Sequence, residues 1–426
     1  MTRSAKRVLF ISMVLLLFGA VAAQAKTKIT VLLYDTRQQA ENEDAVARFN
    51  RDHPDVEAEL LWVPSGQGLT KLRTMVAGGV PPDIYVSDGS NSMFATLGLV
   101  EGILIDLTPY VEANAAHFKD WFPGILEMGQ LLGKQWGIPM QNLNTYATFY
   151  NIDHFNEVGL PMPTNSWTWS DFRNIALKLT RDINGDGRID RFAYYEDWYT
   201  WRSWLENAGG TVFDPTGRKI VFDSEASRAG LQFLYQLRWI DHVLPQPGEI
   251  SGRARDRFVD GTISMVHRQG LYWQSIEAVN LTAGAVLDPI GPDPARKTMG
   301  AIQYFAITSG SKHPDLAFEL IKYLTDETSA KMATETGALP VHARIARDYF
   351  GRGVGVANFR DVMIDTTAYN LFNPVHFYPG GAEIDRLVAD TTVNGKLSIS
   401  AAMDTYIPLA QKALDEFWEE AAALMK

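Results

Sequence analysis

The residues here with chemical potential are flat rings and forked oxygens, not nucleophiles. From Tyr194 to Trp204 the sequence reads YYEDWYTWRSW, with Glu196, Asp197 and Arg202 set between the rings. Gly270-Leu271-Tyr272-Trp273 and His376-Phe377-Tyr378-Pro379-Gly380 are two further aromatic turns. A pyranose offers an apolar face of C–H groups and a rim of hydroxyls. Tyr and Trp rings bind the face, while Asp, Asn, Gln and Arg fork to the rim. At helical spacing Trp198, Trp201 and Trp204 cannot all face one ligand, so some of them belong to a core.

Motifs for covalent or metal chemistry are missing from the sequence. There is no cysteine, and the eight histidines show no zinc spacing. No Gly-x-Ser-x-Gly elbow and no phosphate-cradling Gly-Lys-Ser/Thr loop occurs. Asp182 to Asp190 (DINGDGRID) matches the front of a calcium loop, but its twelfth position is Ala193 rather than a bidentate Glu. A tight turn is the expected role, with a Ca²⁺ site as the alternative; no cofactor is expected. A carboxylate pair of the glycosidase kind stays open, because 50 acidic residues supply many combinations.

The elements that must position these groups alternate. Lys28–Tyr34 reads as a buried strand, Ala40–Asn50 as a helix and Val56–Val63 as a second strand. Leu69–Gly78 follows as a helix and Asp83–Val86 as a third strand. This βαβαβ opening predicts an α/β fold with a mostly parallel sheet flanked by helices. Ligands of open α/β sheets sit beyond the carboxyl ends of the strands. That rule selects Tyr34, Asp35, Ser87 and Asp88.

Arg3, Lys6 and Arg7 precede an acid-free apolar run, Val8–Val21, and then Ala23-Gln24-Ala25. This is the pattern of a cleaved secretory signal over residues 1–25, too short in its apolar part to span a bilayer. The expected product is a freely diffusing periplasmic protein, since no cysteine is present to carry a lipid. The net charge of -11 falls to about -14 once the three signal-peptide bases are removed. Such acidity argues against nucleic acid as a partner.

Five stretches, in order, resemble one family. They are Ala77–Ser90 (AGGVPPDIYVSDGS), Gly133–Thr180, Phe258–Met265, Phe305–Leu324, and Gly337-Ala338-Leu339-Pro340. The third departs from the family's "F-x-x-G-x-x-A-M" pattern in carrying Ser264 for alanine. Together they are similar to the extracellular solute-binding proteins of bacterial ABC importers, specifically the maltose-binding-protein-like group that takes up sugars. The resemblance implies two α/β lobes joined by crossings near 140–145, 293–304 and 324–328. The first lobe would hold 26–140 and 304–325, the second 145–293 and 328–426. It implies a carrier, not an enzyme: a monomer that closes on a carbohydrate and delivers it to a membrane permease. Substrate contacts implied or favoured on this basis are Trp273, Asp88, Asp35, Tyr34, Gln141, Asn144, Trp201, Trp198, Arg268, Tyr304 and Tyr378. The alternatives are a secreted glycoside hydrolase and a binding protein for an anionic ligand, for which Arg202, Arg268 and Arg296 are ungrouped candidates.

Overall fold

The computed structural model describes residues 26–34, 36–87, 93–196, 200–367, 370–372 and 379–424. Strand β1 (Thr27–Leu33) is apolar from Val31 onward, where both its faces are covered, and Ile29, Val31 and Leu32 have no exposed surface. It pairs in parallel with β2 (Val56–Trp62) over its whole length and with β3 (Ile84–Ser87) on the other side. Helices Gln39–Asp52 and Gly68–Ala77 connect these strands, as the apolar spacing requires. After the short hairpin β4 (Gln130–Leu131) and β5 (Lys134–Gln135), β6 (Ile138–Pro139) supplies the far edge of the first sheet.

The second sheet is built around β7 (Asn144–Asn151). Its aromatic run Tyr146–Tyr150 is buried on both faces. Beside it lie β9 (Ile263–Gln269), with β8 (Phe192–Tyr195) beyond, and on the other flank β11 (Lys297–Ala301) and β13 (Asn370–Phe372). Strand β10 (Ala283–Val286) also pairs with β7. The first sheet is completed by β12 (Tyr304–Ile307), giving the order β2-β1-β3-β12-β6.

Both sheets are mixed, not mostly parallel. Strand β12 runs antiparallel to β3 and β6, and β7 antiparallel to β9, β10 and β11. The reason is topological: a strand returning from the other lobe enters its sheet from the opposite end. The chain passes between sheets at 140–143, linking β6 to β7, and at 302–303, linking β11 to β12. Met140 N donates to Gln303 O at 2.8 Å, so these two crossings form one narrow ribbon.

The later passage, from Thr325 to Val341, is held by backbone and side-chain bonds together. Helices Pro314–Leu324 and Glu327–Glu335 both pack on Gln39–Asp52 of the first lobe. Beyond them Leu143 N donates to Leu339 O at 2.9 Å, and Phe122 N to Val341 O at 2.9 Å. Gln141 spans this junction, its Nε2 donating to Thr325 O at 2.8 Å and its Oε1 accepting from Val341 N at 3.0 Å. His117 Nε2 lies 2.9 Å from Thr325 Oγ1, whose own proton goes to Ile321 O at 2.7 Å. His117 therefore donates in that contact.

Candidate ligand-binding site

Tyr34 stands at the carboxyl end of β1, where the strand-end rule placed it. Its ring lies against the start of helix Gly68–Ala77: a Cβ on Gly68 would come within 2.9 Å of Tyr34 Cδ1. Its hydroxyl is 2.7 Å from Gln303 Nε2 in the second crossing. Gln303 Oε1 in turn accepts from Asn142 Nδ2 of the first crossing at 2.6 Å. The lobe-one rim and both crossings thus meet in one polar cluster. Asp35, Asp88, Trp198 and Tyr378 lie outside the described residues.

On the other side, β9 ends at the ribbon because Gln269 pairs with Tyr146 of β7. Arg268 precedes it, its guanidinium 5.8 Å from the Tyr272 ring centre, with burial lowering its pKa. Trp273, half-buried, caps the turn that follows and lays its ring on Gly337, where a Cβ would meet Trp273 Cζ2 at 3.1 Å. Gly337 has φ +84°, a conformation glycine tolerates. Trp273 therefore joins the second lobe to the Gly337–Pro340 passage, and with Tyr349 and Arg352 it lines a cavity of about 260 Å³.

The other expected contacts are placed as follows. Asn144 begins β7 at the ribbon and donates to Asn142 O at 3.2 Å. Both ends of the Gln141 amide are engaged by backbone, which gives that side chain a joint-holding role. Tyr304 has no exposed surface; its hydroxyl donates to Met128 O at 3.0 Å and its ring meets Phe94 edge-on, inside the first lobe. Trp201 is buried against Phe222 and the Arg202 guanidinium, inside the second. Trp204 likewise packs among Trp169, Phe172, Tyr194 and Phe233. The structure thus brings Tyr34, Asn144, Arg268 and Trp273 toward the junction, and leaves Tyr304 and Trp201 in cores.

Sequence reasoning passed over Gln38, Glu41, Asn142 and Gln303. Gln38, Glu41 and Asn142 are buried, Glu41 in the first turn of helix Gln39–Asp52. The available signal was amide content: Asn142 sits between Gln141 and Leu143, and Gln303 falls between two strand-like runs.

Several buried carboxylates have matched partners. Glu196 meets Arg238 at 3.1 Å, Glu206 meets Lys297 at 3.1 Å, and burial raises the pKa of both acids. Asp288 Oδ2 lies 3.1 Å from His267 Nε2, and His267 Nδ1 lies 3.4 Å from Ser203 Oγ. This has the order of a Ser-His-Asp triad, but the adjoining void of about 10 Å³ holds at most one water, so no acyl substrate fits. In the Asp182–Asp190 loop, Asp182 accepts from the N–H groups of Gly185 and Gly187, Asp186 from Arg188, and Asp190 from Ile183 and Asn184. These carboxylates are spent on closing a turn.

Two mixed sheets joined by crossing strands, with strand ends and polar crossings at the junction, define a two-lobed binding-protein fold. The chain belongs to the bacterial extracellular solute-binding protein family, whose sequence profile matches residues 34–331. It is 26% identical over 407 residues to a Brucella abortus protein named only as a binding protein, covering 90% of each chain. It superposes on a cyclic α-maltosyl-1,6-maltose binding protein from Arthrobacter globiformis with a TM-score of 0.78. Identity there is 19%, over 92% of this chain and 100% of that one. The sugar-binding protein MalE of Xanthomonas citri gives a TM-score of 0.76 at 17% identity, over 94% and 100%.

Proposed function

We propose that this protein captures a carbohydrate between its lobes in the periplasm and delivers it, as a monomer, to the permease of an ABC importer. The observation that carries the reading is the junction itself. Tyr34 meets the amides of both crossings there, and Trp273 and Arg268 are proposed to face the same space from the second lobe. Asp35, Asp88, Trp198 and Tyr378 are proposed to complete the contact set. The solved structures named for maltose-type sugars support the class of ligand.

The mechanism is population shift. A sugar touching both lobes binds the closed form better than the open one and moves the equilibrium by that difference in affinity. Two short crossings, 140–143 and 302–303, are where backbone rotation would concentrate. No step requires a cofactor or bond cleavage.

The test is tryptophan fluorescence of the purified mature protein against neutral sugars, polyols and sugar phosphates, with chromatography of each mixture. Saturable binding of a neutral sugar recovered intact is expected. Hydrolysed glycoside would replace the carrier with a hydrolase, and binding confined to phosphates would favour the anionic ligand.

A further inference from the structure

Tyr34, Gln303, Asn142 and Gln38 form a chain of hydrogen bonds whose direction is fixed from one end. The Gln303 backbone N–H can only donate, and it faces Asn142 Oδ1 at 3.4 Å. Asn142 must therefore present Nδ2 to its other neighbours, Gln303 Oε1 at 2.6 Å and Gln38 Oε1 at 3.2 Å. Both amide protons of Asn142 are used in this way. Gln303, with its oxygen committed to Asn142, turns Nε2 toward Tyr34 Oη at 2.7 Å. The phenol accepts there, and its single proton lies on the side away from Gln303.

We infer that Gln303 is a positioning residue that holds the Tyr34 hydroxyl as an obligatory donor toward the cleft. The bound molecule must then offer an acceptor at that point: a ring oxygen, a glycosidic oxygen or a hydroxyl lone pair. A group that can only donate is rejected, because it would meet a second proton and leave a buried polar pair unmatched. The inference rests on the carbohydrate reading for its choice of ligand, though not for the direction of the bonds. It also assigns a second role to the chain. Asn142 belongs to the first crossing and Gln303 to the second, so the donor that reads the sugar is braced by both.

Gln303→Glu is the discriminating variant. It keeps the acceptor oxygen that Asn142 needs but replaces the amide donor, so Tyr34 turns its proton inward. Binding is titrated by calorimetry with the panel's tightest-binding neutral sugar, maltose first. Tyr34→Phe and Gln303→Glu are each expected to weaken binding about five- to tenfold. The double variant is expected to be no weaker than the worse single, since Gln303 acts through Tyr34. Wild-type affinity in Gln303→Glu, or fully additive losses, would overturn the inference. If the wild type binds no sugar, the carbohydrate reading fails while the bond direction is decided separately. Neutron diffraction from deuterated wild-type crystals should show the Tyr34 deuteron pointing away from Gln303. A deuteron pointing at Gln303 would end the proposal.

Discussion

His117 provides a test of how the later passage is wired. Burial, with His342 close by, lowers its pKa from 6.5 to about 4. The folded state therefore binds fewer protons than the unfolded chain between those values. Stability is full above pH 6.5 and falls as the pH drops through the window to about 4. Each pH unit is worth at most about 1.4 kcal/mol for one group. From pH 7.5 to 4.5 the protein crosses about two units of that window, a ceiling of about 2.7 kcal/mol. Partial exposure of the imidazole reduces this to about 1.5 kcal/mol. His117→Gln keeps an N–H donor for Thr325 Oγ1 but does not titrate. Urea unfolding of both proteins at the two pH values gives the comparison, and His154, which His117 does not touch, cancels in the difference. Wild type should lose about 1.5 kcal/mol more than the variant. Equal losses would refute the reasoning.

Arg238→Met leaves the Glu196 carboxylate buried without its cation and should cost about 3–5 kcal/mol in urea unfolding. Adding Glu196→Gln should recover part of that, and a cost under about 1 kcal/mol would show the pair to be incidental. A Cβ on Gly291 would lie 2.0 Å from the Asn207 carbonyl oxygen, a contact only backbone movement can relieve. Gly291→Ala should accordingly lower stability by about 3 kcal/mol, read as a depressed Tm. Trp273→Ala should weaken sugar binding tenfold or more with circular dichroism unchanged; undiminished affinity would move the site elsewhere.

Periodicity made the opening of the fold legible. β1, β2 and β3 fall within one residue of their expected bounds, because apolar residues recur along each at strand spacing. Strand direction was not legible, since an apolar run carries no sign of which lobe its chain arrives from. Among site residues, position was easier than orientation. Tyr304 opens a strand at the second crossing, as a contact residue would, yet its hydroxyl turns to Met128 O. Gln141 was located in the right crossing, but its two partners, Thr325 and Val341, lie nearly 200 residues away in sequence. Arg238 was invisible for the same reason: Glu196 and the Thr392 carbonyl meet it only after folding.

The place of β12 in the first sheet has a consequence for how the protein is made. Tyr304–Ile307 lies between β3 and β6 and, among the described residues, is the only strand that touches both. Until it has been synthesised, the first sheet is in two unconnected pieces, with β3 showing an open edge. The nascent chain therefore cannot close its first lobe during most of its translation, and long-range pairing of this kind is slow once begun. In a chain exported as proposed this delay is useful, because a polypeptide threaded through a membrane must arrive unfolded. The strand that completes the first lobe also sets the order of assembly.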